Sequence, residues 1–477
     1  MLADKQSEGG EVMRKILVVS MVLAFLVALA AGPALATNGY QLIGIGQIQK
    51  SMGGAVTAAP MDAMTAITNP AGMSRVGKRA DFSMEMFLPD RKVDFSSNYG
   101  ESSFGGTHMY GVPAIGWTAP ANDAGDVYFG GGMYGTSGLG VDYEELVVMP
   151  GSMLDMMTGS PSGTYSNVTF NGFSAVQFWK MAPTVAVNLN NRLSVGVALN
   201  LDYQSVTISE TINNIPLSSE GSMMFGGAQS MDVKFDLGRP TSQMGFGATV
   251  GVLYDPTDMI TLGAMYSTKQ YFSESEFRVG TGDVSNFMGA TGQAGTYKMD
   301  LDFPQQFAVG IAVKPTERLI VDFDVKWINW ESTHDKVKFT GPSNSFMTSS
   351  MMMTDSVDLE FGWENQWVYA LGTRYKATDK LTLSAGFNYA KSPIDEADVF
   401  NNLVFPAVVE KHLALGFDYA FDNWGFGMTF MKAFEKKLTG EGDVPTDMQK
   451  MTMFDANSGI EIGLEEESLG FQISYRF

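Results

Sequence analysis

The strongest constraint on the fold of this chain is a period-two alternation of apolar and polar residues. In residues 193–204, one parity is aliphatic or aromatic and the other is small or polar. The same alternation recurs in residues 307–313, 319–327, 367–375 and 381–389. This pattern is typical of β-strands with one oily face and one polar face. It predicts an all-β protein with more strands than a small sandwich holds.

The connections between these segments alternate in length. Tight, turn-rich connections occur at 120–125, 190–191, 255–258, 315–317, 377–379 and 422–423. Long connections occur near 91–108, 137–172, 207–242, 271–298, 332–362, 393–407 and 435–463. Short periplasmic turns that alternate with long external loops are typical of an outer-membrane barrel. We therefore predict a 14-stranded antiparallel transmembrane β-barrel over residues 80–477.

Both ends of the chain fit export to the bacterial outer membrane. Residues 1–36 hold a polar extension, the positive pair Arg14-Lys15, an apolar run and the cleavage site Ala34-Leu35-Ala36. That order is typical of a signal peptide, and the apolar run is short for a membrane-spanning helix. The last strand ends on Phe477, and an aromatic C-terminus resembles the signal that the outer-membrane assembly machinery recognises.

Composition narrows the function classes. The chain has no cysteine, which excludes disulfides and thiol chemistry, and its net charge of −21 argues against a nucleic-acid partner. The three histidines, at 108, 334 and 412, are not spaced as a metal pair, and no GxSxG motif is present. Only His412 could offer an inward base. We predict no enzymatic activity, no cofactor and no metal, and we expect a monomer.

Residues 37–79 differ from the rest of the chain. They are rich in Gly, Ala and Met, lack strand alternation, and predict short helical pieces and turns. The GxGxxQ pattern at 44–49 lacks the third glycine and the preceding strand of a dinucleotide site. A 14-stranded barrel is too wide for inward side chains to fill, so it needs a plug or leaves a pore. We predict that residues 37–79 form this plug, which we call the hatch.

The hatch residues carry a family resemblance. The segments Gly44-Ile45-Gly46, Met52-Gly53-Gly54-Ala55, Asp62-Ala63 and Asn69-Pro70-Ala71-Gly72-Met73 resemble the hatch of the FadL family. Its members are outer-membrane channels for long-chain fatty acids and, in one branch, toluene-like hydrocarbons. Strand pairs such as 303–330 resemble the family as well, whereas the long loops match poorly.

The resemblance implies roles for three groups of residues. Hatch gating falls on Gly53, Gly54, Asn69, Pro70 and Ala71. A first ligand groove in the third and fourth external loops has the candidates Met223, Met224, Phe225, Phe277, Phe287 and Met288. A lateral exit at a kink in the third strand has the candidates Gly130, Gly131, Gly132 and Gly135.

The predicted cargo is apolar. The inward parity of the strands is expected to carry few charges, and methionine clusters in the loops can accept apolar shapes without strict complementarity. The resulting hypothesis is passive uptake of fatty acids or aromatic hydrocarbons by loop capture, hatch rearrangement and lateral exit into the bilayer. The alternatives are a surface adhesin or structural barrel, and a diffusive porin without hydrophobic specificity. Lys180, Arg192 and Lys326 are partners for a carboxylate only if they face inward.

Two surface features complete the prediction. All seven tryptophans fall in or at the ends of proposed strands, as the aromatic girdles of a barrel require. The acidic runs 355–364 and 461–467 are expected in solvated loops, where divalent ions could bridge them to lipopolysaccharide. Outer-membrane lipid and lipopolysaccharide are therefore expected partners.

Overall fold

The computed structural model describes residues 37–96, 100–105, 109–285, 292–347, 352–441, 452 and 459–477. The predicted signal peptide, residues 1–36, lies outside these ranges. Within them, fourteen strands form one antiparallel barrel. The strands are β1 (Arg79–Asp94), β2 (Tyr110–Pro120), β3 (Val127–Met149), β4 (Val168–Met181, continued by Thr184–Asn190), β5 (Leu193–Pro216), β6 (Ser230–Thr257), β7 (Ile260–Ser267), β8 (Gln306–Thr316), β9 (Leu319–Ile328), β10 (Gln366–Lys376), β11 (Leu381–Ala390), β12 (Lys411–Phe421), β13 (Trp424–Thr439) and β14 (Glu461–Arg476).

The barrel is closed by its first and last strands. β14 pairs with β1 along their whole length, from Arg476 opposite Arg79 to Glu461 opposite Asp94. This pairing joins the two ends of the sheet, so neither the first nor the last strand is an open edge facing the bilayer. The predicted 14-stranded barrel is thus confirmed, and each predicted tight turn falls between the expected strands.

The two faces of the wall follow the predicted parities. In β5, Val197 and Leu199 have more than half of their surface exposed, whereas Ser194, Asn200 and Asp202 are buried in the lumen. Exposed apolar side chains on the outer face match a lipid environment.

The prediction that every tryptophan belongs to a girdle is wrong. Trp117, Trp367 and Trp424 are exposed on the outer wall, but Trp330 and Trp363 are buried inside the protein. Both inward tryptophans lie beyond the ends of strands, where strand parity no longer dictates the direction of a side chain.

Three strands extend well beyond a membrane. β3, β5 and β6 contain 23, 24 and 28 residues, whereas about 9–11 residues cross a bilayer. Much of the predicted loops 137–172 and 207–242 is therefore strand. The outer ends of these strands are held together by buried apolar side chains such as Ile208 and Ile212.

The acidic run 461–467 is also strand rather than loop. It begins β14, where lysines of the neighbouring strands compensate its charge. Glu461 lies 3.0 Å from the Lys437 ammonium and 3.6 Å from that of Lys92, and Glu465 pairs with Lys432.

The remaining elements lie in the hatch and the external loops. The hatch contains a hairpin and short helices, namely strands Thr37–Asn38 and Gln41–Leu42, α1 (Gln47–Ser51), α2 (Thr65–Thr68), a 3₁₀ turn (Pro70–Gly72) and α3 (Met73–Val76). The external loops contain α4 (Gly151–Thr158), α5 (Ser219–Met224), α6 (Glu331–His334) and 3₁₀ turns at Glu396–Asp398 and Phe400–Asn402. A four-stranded external sheet combines Ser275–Val279, Gly295–Met299, Lys336–Thr340 and Ser356–Glu360. Shorter strands are Ser102–Phe104, Tyr271–Phe272, Phe346–Met347 and Met353–Thr354. No helix in the described ranges is both long enough and apolar enough to cross a membrane.

Candidate functional site

The hatch lies inside the barrel and packs closely against the inner face of the wall. Ten inward glycines on ten different strands face it, and in each case an added Cβ would meet hatch atoms at or inside van der Waals contact. We call this ring the glycine girdle; it comprises Gly116, Gly130, Gly196, Gly251, Gly263, Gly310, Gly372, Gly386, Gly416 and Gly470. Because these positions carry no side chain, the barrel backbone approaches the hatch closely; the nearest hatch atoms include backbone at six of the ten and are side-chain atoms at the other four.

The predicted gating residues lie at this contact. Asn69 caps the 3₁₀ turn by accepting a hydrogen bond from the Ala71 amide at 3.2 Å. Its side-chain amide donates to the carbonyl oxygens of Thr57 at 2.8 Å and of Val252 in β6 at 3.2 Å. Asn69 therefore ties one part of the hatch both to another part and to the wall.

Gly53, the first of the two adjacent hatch glycines, lies against β11. Gly53 and Gly54 have φ angles of 64° and 78°, a region that favours glycine. A Cβ on Gly53 would lie 2.8 Å from the Phe387 amide nitrogen. The structure thus brings four of the five predicted gating residues to the hatch–wall boundary, whereas a Cβ on Gly54 would meet Ile43 and Gly44 within the hatch.

Buried charged residues of the wall bind the hatch. Lys50 of α1 pairs with Glu85 of β1, and both side chains are almost fully buried. The Asp324 carboxylate accepts hydrogen bonds from the Val56 and Thr57 amides, each at 2.8 Å. The expectation of few inward charges is wrong at this level of the barrel, because a main-chain plug offers amides and carbonyls that charged wall residues can bind.

Asp62 is the only acidic residue of the hatch. Its carboxylate accepts hydrogen bonds from Gln49 at 2.9 Å and from Gln472 of β14 at 3.0 Å. Burial, reinforced by the nearby Asp81 carboxylate, raises the pKa of Asp62 to about 6. Sequence reasoning missed this network, although β1 places Arg79, Asp81 and Glu85 on one parity.

Aromatic rings close the outer side of the hatch, and we call them the aromatic box: Tyr40, Phe303, Trp330, His334 and Trp363. Ring centroids lie 5.0 Å apart for Tyr40 and Trp330 and 5.1 Å apart for His334 and Trp363. The Tyr40 hydroxyl and His334 Nε2 are hydrogen-bonded at 2.9 Å, which joins the hatch to the loop after β9. The box borders an apolar cavity of about 20 Å³.

The box carries no charge at neutral pH. Burial lowers the pKa of His334 to about 3, and His334 Nδ1 lies 2.7 Å from the Thr333 hydroxyl. Burial also raises the pKa of Tyr40. Sequence reasoning assigned no role to Tyr40 or His334, because they are 294 residues apart in the chain.

A polar cavity of about 50 Å³ adjoins the box through Phe303. Lys180 and Lys326 line it, so both face inward as the carboxylate hypothesis requires. The Lys180 ammonium lies 3.2 Å from Asp202 and 2.9 Å from the side-chain oxygen of Gln270. Arg192 does not join them, because it lies in a periplasmic turn and donates to the Pro256 carbonyl at 3.2 Å.

The wall opens between β2 and β3. Their pairing runs from Pro120 opposite Tyr128 to Ala114 opposite Tyr134 and then stops, although both strands continue outward. The register of β3 against β4 shifts between Gly135 and Ser137. We call this break the lateral gap, and a cavity of about 390 Å³ occupies it.

The cavity of the lateral gap connects lumen and wall. Its lining includes Leu42 of the hatch and Gly135, Ser137, Gly138, Leu139 and Gly140 of β3. Leu139 and Val176 line both this cavity and the one beside the aromatic box.

The predicted kink glycines divide into two groups. Gly135 lines the lateral gap. Gly130, Gly131 and Gly132 pair with β2 and lie where β4 is interrupted at Ala182–Pro183, with Gly131 at a φ of 130°.

The predicted ligand groove is only partly described. Met223 and Met224, at the end of α5, are 77% and 41% exposed, and Phe225 is half-buried beside them. Phe277 is buried in the external sheet, and Phe287 and Met288 lie outside the described residues. The groove therefore remains a prediction.

Similar folds occur in solved outer-membrane channels. The P. putida toluene transporter TodX superposes with a TM-score of 0.66 at 20% identity, covering 91% of this chain and 99% of that one. The Ralstonia pickettii toluene transporter TbuX gives 0.62 at 17% identity, with 91% and 99% covered. A Pseudomonas aeruginosa FadL homologue gives 0.64 at 16% identity, with 94% and 100% covered.

Sequence comparisons give the family. No curated protein sequence matches the chain. The family model described as outer membrane protein transport protein (OMPP1/FadL/TodX) matches residues 22–465. The predicted resemblance and the bacterial outer-membrane location are thereby confirmed. The chain belongs to the OMPP1/FadL/TodX family of outer-membrane transport proteins.

Proposed function

We propose that this protein is a passive channel for small uncharged hydrophobic molecules, and that aromatic hydrocarbons are its preferred cargo. The observation that carries the proposal is the aromatic box. Three of its rings, those of Tyr40, His334 and Trp363, line an apolar cavity directly outside the plug, and the rings of Phe303 and Trp330 pack against Tyr40. Flat apolar molecules gain most from edge-to-face and stacked contacts of this kind.

Capture begins at the external loops. The exposed thioethers of Met223 and Met224, with Phe225, offer a flexible apolar surface beside the long outer strands. In this proposal Phe277, Phe287 and Met288 contribute to the same groove, and the cargo then passes to the aromatic box. Divalent ions that bridge acidic loop residues to lipopolysaccharide would hold the loops in place.

The hatch controls the next step. Tyr40 belongs both to the hatch and to the box, so a molecule that separates Tyr40 from His334 acts directly on the plug. The movement would spread to the contacts of Asn69, Pro70 and Ala71 with β5 and β6. Gly53 would provide the second moving contact, against β11, and Gly54 would move with it against Ile43 of the hatch.

Exit follows the lateral gap. A hydrophobic molecule gains nothing by entering the aqueous periplasm, whereas the bilayer is a favourable solvent. Leu139 and Val176 form a common wall between the box cavity and the gap cavity. A small shift there would join the two spaces and give the cargo a path between β2 and β3.

A long-chain fatty acid is the second candidate cargo. Lys180 and Lys326 line the polar cavity that adjoins the box, and their ammonium groups could hold a carboxylate. In the closed structure Lys180 is already paired with Asp202, which favours the uncharged cargo.

Uptake in cells distinguishes these candidates from the alternatives. Cells that lack the protein and cells that regain it are compared for entry of labelled toluene, labelled oleate and a small sugar. We expect restored entry of toluene above that of oleate and no change for the sugar. Sugar entry without hydrophobic preference indicates a diffusive porin, and no change in any solute indicates a structural barrel or adhesin.

The exit route is tested by filling the lateral gap. Gly138→Trp places a large side chain in the gap, and its Cβ meets only the Val176 carbonyl oxygen at 3.5 Å. Gly131 is a poor choice, because a side chain there would overlap the Ala182 carbonyl at a strained φ. The control Leu199→Trp adds the same residue to the lipid face of β5. We expect toluene uptake to fall at least about tenfold for the first variant alone; normal uptake with normal assembly would exclude this exit.

A further inference from the structure

The periplasmic mouth of the barrel contains a cavity of about 420 Å³ that the transport route does not use. We call it the vestibule. Its walls are the periplasmic ends of β9, β10, β12 and β14 with their turns, and Ile48 and Met61 of the hatch form part of its lining. It therefore lies on the side of the hatch opposite to the external loops.

The charge of the vestibule is opposite to that of the protein. The chain has 31 basic and 52 acidic residues. The vestibule lining instead contains six basic residues and three acidic ones. The basic residues are Arg79, Arg318, Arg374, Lys376, Lys380 and Arg476, and the acidic ones are Glu317, Asp379 and Asp418.

Half of these cations are not neutralised by the protein. Arg374 pairs with Asp418 at 2.8 Å, and Arg79 is held by Asp81 in the strand wall. Across the described ranges, Lys376, Lys380 and Arg476 form no ion pair; these three side chains are also exposed. Lysine and arginine stay charged at physiological pH, so the vestibule keeps an unsatisfied positive rim.

The inner part of the vestibule has an apolar patch to which the plug contributes. Ile48 and Met61 of the hatch and Ile320 of β9 line it. Arg79 donates to the Met61 carbonyl oxygen at 2.7 Å, and an Arg374 nitrogen lies 3.6 Å from the Met61 sulfur. An occupant of the vestibule would thus touch both the cations and the hatch.

We propose that the vestibule binds an amphipathic anion, a carboxylate or phosphate head with an aliphatic tail. The head would pair with Lys376 and Arg476 at the rim, and the tail would lie against Ile48 and Met61. Because Met61 is part of the hatch, such binding is coupled to the position of the plug from its periplasmic side. The site is separate from the aromatic box and does not depend on the nature of the transported molecule.

Equilibrium dialysis tests the cationic rim. The protein in nanodiscs is compared with empty nanodiscs for binding of radiolabelled octanoate and of octanol, its uncharged counterpart. The variant Lys376→Gln/Arg476→Gln removes two rim charges. The control Lys336→Gln/Lys391→Gln removes two charges from exposed external residues and changes the net charge equally.

We expect octanoate to bind at least about tenfold more weakly to the rim variant than to the wild type or the control, with octanol binding equal in all three. Equal octanoate binding by the rim variant would overturn the proposal. Heat-modifiable mobility on gels verifies that each barrel is assembled. Toluene uptake by the same variants is measured separately, so failure of the transport proposal and failure of this one give different results.

Chain length and head group test the apolar part. Affinity should rise roughly fourfold for each methylene from hexanoate to octanoate, and octyl phosphate should compete with octanoate. Inorganic phosphate should not compete at the same concentration. If inorganic phosphate competes, or if chain length has no effect on affinity, the vestibule binds ligands by charge alone and the proposal of an amphipathic ligand is wrong.

Discussion

At the scale of single residues, the closed state depends on a few polar contacts between hatch and wall. The hydrogen bond between Tyr40 and His334 is the one that a cargo in the aromatic box would meet first. Both partners are buried, so loss of either leaves the other without its partner in an apolar place. Such an unsatisfied group costs about 1–3 kcal/mol.

Tyr40→Phe should therefore weaken the closed hatch by about 1–3 kcal/mol. We expect faster hydrogen exchange of hatch amides by roughly one order of magnitude or more, because 1.4 kcal/mol is a factor of ten. Tyr203→Phe is the matched control, since the Tyr203 hydroxyl bonds Ser242 at 2.9 Å on the exposed outer face. Unchanged hatch exchange in Tyr40→Phe would show that this bond does not hold the plug.

Asp62 gives the hatch a pH dependence. Its pKa in the closed hatch is about 6, against 3.8 for the free side chain. The closed hatch therefore binds the proton more tightly than a released hatch does. Closure is most favourable below about pH 4 and becomes less favourable as the pH rises through about 6.

We expect the protection of hatch amides, corrected for intrinsic exchange, to fall between pH 4 and pH 7 in the wild type. Asp62→Asn should flatten that slope, because the amide does not titrate. Asp379→Asn, at a carboxylate that is 97% exposed, should leave it unchanged. A slope that survives in Asp62→Asn would assign the pH dependence to another group.

At the scale of elements, barrel strands and hatch differ in how much the sequence reveals. Strands and tight turns could be predicted because alternation and turn residues act over a few positions. The hatch contacts could not, since they join residues such as Asn69 and Val252 that are 183 positions apart. The inward direction of Trp330 and Trp363 could not be predicted for a similar reason. Both lie between β9 and β10, where the alternation of a strand no longer sets the direction of a side chain.

The glycine girdle is visible in the sequence as a pattern that the prediction of strands did not use. Eight of the ten girdle glycines stand between two apolar residues, as in Val195-Gly196-Val197 and Leu415-Gly416-Phe417. A glycine in the middle of a strand weakens it unless something must come close. Glycines that recur near the periplasmic ends of the strands therefore mark the level of the barrel at which the hatch lies.

Gly386→Leu should detach the hatch without preventing the barrel from closing. A side chain at Gly386 would overlap the Gly53 amide, whereas β11 itself favours leucine over glycine. We expect several-fold faster swelling of proteoliposomes in a small sugar. Gly425→Leu is the control, because its Cβ would meet nothing closer than 3.5 Å. Equal swelling of both variants would mean that the hatch tolerates the loss of this contact.

At the scale of the whole molecule, a closed wall of fourteen strands encloses more space than its own side chains fill. The hatch occupies one level of that space, with the aromatic box outside it and the vestibule on its periplasmic side. The fourteen strands can therefore form a complete barrel whether or not the hatch blocks its lumen.

Deletion of residues 37–77 should convert the protein into an open pore. No barrel strand is removed, because β1 begins at Arg79. We expect stable ion conductance in planar bilayers that is absent from the wild type. A deletion variant that assembles and stays closed would show that loops or wall side chains, rather than the hatch, block the lumen.

The glycine girdle has a consequence for how such a protein can diversify. Where the stopper sits against bare glycine, the fit depends on clearance and not on the identity of a wall side chain. Loops can therefore exchange side chains to suit new cargoes while this part of the seat stays the same. At the girdle positions added bulk is the change least tolerated, so these smallest residues of the wall are among those least free to vary.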